Sequence, residues 1–141
     1  MPFFFLLTSI LAGGLAALAM SASMKAMSRL GGDDEVDMVL AIGSYFTGTK
    51  ENASRFGILI HLGSGILFGL LYGLVFAATD KTSLPDVFLI GIGIGFLHGL
   101  GMAYALMIFL SERHPLPEFR SVSLIIGVVH LAGHIVFGAT V

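Results

Sequence analysis

The sequence contains no cysteine, no tryptophan and few charged residues. Without cysteine, the chain forms no disulfide, thiolate metal site or iron–sulfur cluster, and it has no thiol nucleophile. Charged residues make up 11% of its 141 residues, against roughly 25% in a typical soluble domain. Hydrophobic residues make up 56%. A soluble domain of this composition lacks the polar groups to cover its surface, so we expect the surface to contact a lipid bilayer.

The small charge also excludes several function classes. The net charge is −2 and the 7 lysines and arginines form no basic patch, so nucleic acid is not an expected partner. No serine lies in a nucleophile-elbow motif, and there is no phosphate-binding loop. We therefore expect a protein that is not an enzyme and has no catalytic residues.

Four apolar segments are long enough to cross the roughly 30 Å hydrocarbon core of a membrane as helices. They cover residues 3–27, 56–78, 86–110 and 122–141. They predict a single all-α domain, an integral membrane four-helix bundle. No basic residue precedes the first segment, so we expect a retained helix and not a signal peptide. Residues 34–46 follow an acidic start and have apolar residues at helical spacing, which predicts an amphipathic helix at the membrane interface.

The lysines and arginines predict the orientation of these helices. Six of the seven lie beside or within the first and third connections, and only Lys81 lies in the second. By the positive-inside rule, both long connections are cytoplasmic and both termini are outside. Because tryptophan is absent, Tyr45, Tyr72 and Tyr104 are expected to anchor the chain at the membrane interfaces.

Two parts of the chain resemble each other. HLGSGILFGLLY, residues 61–72, aligns with HLAGHIVFGATV, residues 130–141. GGLAALAM, residues 13–20, aligns less closely with GFLHGLGM, residues 95–102. This pattern predicts two parallel helix–loop–helix repeats related by a pseudo-two-fold axis along the membrane normal.

Small residues recur every four positions on three of the segments. The stripes are Gly13, Ala17 and Ser21; Gly65, Gly69, Gly73 and Ala77; and Gly91, Gly95, Gly99 and Ala103. Helices in lipid pack closely where small residues let their backbones approach. The second and third segments are joined by a short turn, so their stripes predict a glycine zipper in a tight antiparallel hairpin.

Four histidines lie within the apolar segments: His61, His98, His130 and His134. Three interpretations stay open. The histidines can form hydrogen bonds between helices, ligate a haem or chlorin through a facing pair such as His61 and His130, or line a proton or solute path. His130 and His134 have the spacing of a zinc helix, but Leu131 replaces the required glutamate, so no metal site is predicted.

The paired motifs, His61 with Phe68-Gly69 and His130 with Phe137-Gly138, resemble those of small four-helix bacterial inner-membrane proteins of unknown function, the YagU-like family. The resemblance implies a bacterial inner membrane and supplies no catalytic residues.

Three functions are compatible with these observations. The first is a non-catalytic accessory subunit of a larger membrane complex, for example in respiratory or photosynthetic electron transport, with no cofactor and with other membrane subunits as partners. The second is a haem- or pigment-binding membrane subunit that uses His61, His98, His130 and His134. The third is a small channel or transporter that works as a homo-oligomer.

Overall fold

The computed structural model describes residues 2–31, 37–81, 83–121 and 123–141, and these residues form helices joined by short connections. The elements are α1 (Pro2–Gly31), α2 (Met38–Thr47), α3 (Ala53–Ala78), α4 (Leu84–Arg113), a 3-10 helix (Pro117–Phe119) and α5 (Leu124–Thr140). The predicted all-α class is confirmed.

Three of the described helices are long and apolar enough to cross a membrane, namely α1, α3 and α4. α5 is apolar but has only 17 residues. At 1.5 Å per residue it is about 25 Å long, a little short of the roughly 30 Å hydrocarbon core. The fourth membrane span therefore stays a prediction.

The long helices pack as α1 on α3, α4 on α5 and α1 on α5, whereas α3 and α4 make only sparse contact. The predicted tight hairpin of the second and third segments is therefore wrong, although a short turn joins them. In each half of the chain the two long helices instead pack on each other, α1 on α3 and α4 on α5. The α1–α5 contact has no equally close counterpart between α3 and α4, and the repeat symmetry stays a prediction.

The glycines of α3 explain why it packs on α1. A Cβ atom added to Gly69 would lie 2.5 Å from the Cα of Gly13, and one added to Gly65 would lie 2.6 Å from the Cβ of Ala17. Real Cβ atoms do not approach other atoms so closely, so only glycine permits this spacing. The stripe on α3 thus faces the small residues of α1.

The glycines of α4 face α5 in the same manner. A Cβ atom on Gly95 would lie 2.5 Å from the carbonyl oxygen of His134, and one on Gly99 would lie 2.8 Å from the Cβ of His134. Gly91 lies against the backbone of Gly138. The two stripes predicted to contact each other therefore contact two different helices, and the zipper partners inferred from the sequence are wrong.

The predicted interfacial segment, residues 34–46, corresponds in part to α2; its residues 34–36 lie outside the described residues. Asp37 caps α2, because its carboxylate accepts a hydrogen bond from a backbone N–H three residues later at 2.9 Å. α2 packs on α3, with Gly43 against the backbone of Gly57. The glycine of α2 therefore faces α3 and not the outside of the molecule.

The two long connections meet at one end of the bundle, which we call the connection end. His114 is fully buried there, and its Nε2 lies 3.0 Å from the carbonyl oxygen of Ala41. The backbone N–H of Leu116 donates to His114 Nδ1 at 3.0 Å. Nδ1 also lies 3.1 Å from the carbonyl oxygen of Leu116, so one ring nitrogen contacts its own segment and the other contacts α2. Nearby, Lys50 and Glu118 form an exposed ion pair at 2.6 Å, and the hydrogen bond from Lys50 lowers the pKa of Glu118.

Candidate functional site

The four membrane-segment histidines line one cavity. His61 comes from α3, His98 from α4, and His130 and His134 from α5. The cavity has a volume of about 250 Å³. Its other walls are mostly apolar: Ala17, Met20, Ile42, Ile60, Gly65, Phe68, Met102 and Phe137, with Ser64 at the side of α3. Residues that the sequence singles out one by one therefore belong to a single site.

The cavity exists because of the helix pairing. α3 turns its glycines to α1, and α4 turns its glycines to α5. The sides of α3 and α4 that remain carry larger residues, including Phe68 and Met102, and these helices make only sparse contact. A gap is left between them, and the histidines lie along it.

His61 joins α3 to α1. Its Nε2 lies 2.8 Å from Ser21 Oγ and 3.2 Å from the carbonyl oxygen of Ala17. A carbonyl oxygen only accepts hydrogen bonds, so the contact with Ala17 requires the proton on Nε2. This nitrogen is thus engaged in a contact between helices, as the first interpretation of the histidines expects.

His130 and His134 are one helical turn apart on α5, with ring centroids 4.7 Å apart. The Nδ1–H of His134 donates to the carbonyl oxygen of His130 at 2.9 Å. This bond fixes the tautomer of a neutral His134 and leaves its Nε2 as an acceptor. His130 is only 4% exposed, and its Nδ1 has no hydrogen-bond partner within the described part of the chain.

His98 extends the row of histidines from α5 to α4. Its ring meets the ring of His134 edge to face, with centroids 4.6 Å apart. On another side it stacks on Phe68 at 4.0 Å. Its Nδ1 lies 3.3 Å from the hydroxyl oxygen of Tyr72, and among the described residues its Nε2 is buried without a partner.

Tyr72 is a residue of the site that the sequence misplaces. It is 2% exposed and belongs to the core with Phe137 and Met20. The prediction that it anchors the membrane interface is therefore wrong. Its position seven residues after the lining residue Gly65, on the same helical face, is the signal that could have placed it near the cavity.

A second cavity, which we call the vestibule, has a volume of about 320 Å³ and leads from the first towards the connection end. The two share Met20, Ile42, His61 and His130. The remaining vestibule walls include polar side chains: Ser21, Lys25, Ser28, Asp37 and Ser54. A passage with several polar side chains among apolar walls thus adjoins an apolar, histidine-lined cavity.

Two imidazole nitrogens of this site have no hydrogen-bond partner among the described residues. A buried polar atom without a hydrogen bond costs about 1–3 kcal/mol, so His98 Nε2 and His130 Nδ1 are incompletely satisfied here. Both nitrogens belong to residues that line the cavity. Within the described residues, no group of three or more metal-binding side chains is placed to hold a metal ion.

Comparisons with protein-family models, with curated proteins and with solved structures found no match. The function of the cavity therefore has to follow from its own geometry.

Proposed function

We propose that this protein is an integral membrane protein of four spans that binds a neutral amphiphile with a flat, oxygen-bearing ring, the chemistry of a quinone. One observation carries the proposal. Four histidines from three helices line a single cavity of about 250 Å³, in the gap between the two long helices that make only sparse contact.

The surface of the chain supports the membrane setting. Large apolar side chains are exposed along α1, α3 and α4, including Leu15, Leu59 and Leu97, and these helices have the length to span a bilayer. α5 is about 25 Å long, and bilayers adapt to a short span by local thinning. With the basic residues concentrated at the connection end, we place that end in the cytoplasm of a bacterium.

The lining of the cavity indicates the chemistry of the ligand. Among the described residues, no acidic side chain, lysine or arginine lines it, so they offer a charged ligand no counter-ion. Phe68, Phe137 and Met102 offer apolar contact to a flat ring, and His98 and His130 offer nitrogens that need partners. A carbonyl or hydroxyl oxygen on the ring satisfies these nitrogens. An apolar tail would leave between α3 and α4 into lipid.

A haem or chlorin fits this geometry less well. Ligation of its metal requires an imidazole nitrogen pointing at the centre of a wide macrocycle. His98 and His134 are in direct edge-to-face contact, so nothing as thick as a macrocycle lies between them. The Nε2 of His61 is engaged with α1. A small ring requires much less rearrangement.

The test is to extract the purified protein with organic solvent and to quantify bound small molecules by mass spectrometry. We expect wild-type protein from a mild detergent to retain about one ring-headed amphiphile per cavity. Ser64 lines the cavity and is exposed on α3, so Ser64→Trp fills the gap without removing a histidine. Retention should fall roughly tenfold, because overpacking costs about 1–3 kcal/mol and 1.4 kcal/mol is tenfold.

Leu59→Trp is the matched control, because Leu59 is exposed on the same helix and lines neither cavity. Equal retention by both variants and wild type would contradict the proposal.

The class of ligand is tested by adding decylubiquinone or decylbenzene, which share a tail but differ in ring oxygens. Tighter binding of decylubiquinone is expected, whereas a Soret band in the purified protein would point to haem.

An accessory role in a larger membrane complex is a second proposal, favoured by one observation. Tyr45 and Phe46 on α2 are 36% and 67% exposed and pack edge to face, which offers an aromatic contact to another subunit. Val39 and Leu40 of the same helix instead pack within the chain. The size of the assembly after gentle extraction, for wild type and for Phe46→Ser, tests this role.

A further inference from the structure

We infer that the vestibule is a water-filled access path that leads from the connection end to His61 and His130 and stops at the histidine row. This goes beyond ligand binding and needs only the membrane setting proposed above. It would make the cavity a site to which water and protons come from one side of the membrane while an apolar ligand comes from the bilayer.

The first argument is the polarity of the walls. Lys25 and Asp37 line the vestibule, together with the hydroxyls of Ser28 and Ser54. The cavity beyond it is lined mainly by apolar side chains and imidazoles. Water fills a cavity when the space is large enough and offers two to four polar partners. The vestibule, at about 320 Å³, meets both conditions.

The second argument is continuity. His61 and His130 belong to the walls of both cavities, so water that reaches the inner end of the vestibule reaches the two imidazoles. The shared residues Met20 and Ile42 form the rest of this junction. The buried Nδ1 of His130, unpartnered among the described residues, then has a source of hydrogen bonds close by.

The third argument is that the row of histidines closes at its inner end. From His130 the row continues through His134 and His98 at centroid distances of 4.7 and 4.6 Å, and ends at the hydroxyl of Tyr72. Beyond Tyr72 lie aromatic rings, with Phe76 at 6.5 Å. The inferred path from the vestibule thus ends, among the described residues, at this aromatic side of the row.

The chain lacks cysteine, so single cysteines report water access directly. The experiment places them at Ser54 (mouth), Ile42 (junction) and Leu97, which is 69% exposed on α4 and lines neither cavity. Each variant is reconstituted in lipid nanodiscs and treated with a charged methanethiosulfonate reagent. The thiolate is the reactive form and forms only in water, so Leu97→Cys should react about a hundredfold more slowly than Ile42→Cys.

A bulky substitution at the mouth of the vestibule tests whether the reagent reaches Ile42→Cys through it. Ser54→Trp narrows the mouth and should slow modification of Ile42→Cys, whereas Phe56→Trp, exposed two residues later and absent from the vestibule walls, should not. Unreactive Ile42→Cys, or a rate that Ser54→Trp leaves unchanged, would overturn the inference. Ile58→Cys, on the vestibule wall and 49% exposed, gives the same readout where little packing is lost. Fast reaction of Leu97→Cys would instead contradict the proposal that this part of α4 faces lipid. The binding proposal is tested separately, by the retention of ligand.

Discussion

At the scale of single residues, His114 is a fully buried side chain outside the cavity. Its Nε2 joins the segment after α4 to Ala41 of α2, its Nδ1 accepts from the N–H of Leu116 in its own segment, and its carbonyl oxygen accepts from Arg120 Nε at 2.7 Å. The ring also packs against Phe119, with centroids 4.8 Å apart. Nothing in the sequence near His114 indicates this role, because its partner Ala41 is 73 residues away.

We expect His114→Ala to lower the free energy of unfolding by about 1–3 kcal/mol, because it removes the hydrogen bond to the carbonyl of Ala41 and leaves the N–H of Leu116 without its side-chain partner. Denaturant unfolding of the purified protein in detergent measures the change. Lys50→Ala is the control at the same junction, because its ion pair with Glu118 is exposed and such pairs contribute little. Equal effects of the two substitutions would show that His114 does not hold the connections together.

At the scale of helices, glycine determines which surfaces meet. Gly69→Leu and Gly95→Leu place a side chain where the backbone of α1 or α5 already lies. Each should destabilise the fold by about 1–3 kcal/mol or more, the cost of overpacking a closed contact. Thermal unfolding in detergent measures this change.

The matched controls are Gly63→Leu on α3 and Gly93→Leu on α4, since a Cβ atom at either position meets nothing within 4 Å. They should leave stability nearly unchanged or raise it slightly, because leucine is a better helix former than glycine. Similar losses in all four variants would mean that the close contacts at Gly69 and Gly95 do not determine the effect.

The helices show what the sequence could and could not predict. Apolar length and the spacing of small residues are local properties, so the presence of helices and the positions of their glycine faces could be predicted from them. Which face meets which helix depends on all the surfaces at once. The glycine stripes of α3 and α4 are predicted to face each other because a short turn joins these helices, yet α1 and α5 offer closer-fitting surfaces. The cavity follows from that pairing, so its four histidines could be named but not brought together.

At the scale of the whole molecule, two closely packed pairs of helices leave a gap between α3 and α4. The α1–α3 and α4–α5 pairs are closed by glycine contacts and joined through α1 and α5. The backbones of α3 and α4 come close at few points, and the contacts of His98 with Phe68 and Tyr72 bridge the gap between them. A ligand from the bilayer would enter there, where the histidines and their unpartnered nitrogens lie.

The membrane arrangement is tested by labelling single cysteines with an impermeant reagent in intact cells and in inverted vesicles. We expect Lys50→Cys and Arg113→Cys to react from one side and Lys81→Cys from the other, because α3 separates the first position from the third and α4 separates the second from the third. Arg120 is avoided because its side chain donates to His114. Reaction of positions 50 and 81 from the same side would mean that α3 does not cross the membrane. The gap between α3 and α4 would then not open into lipid, and the proposed route of the ligand would be lost with it.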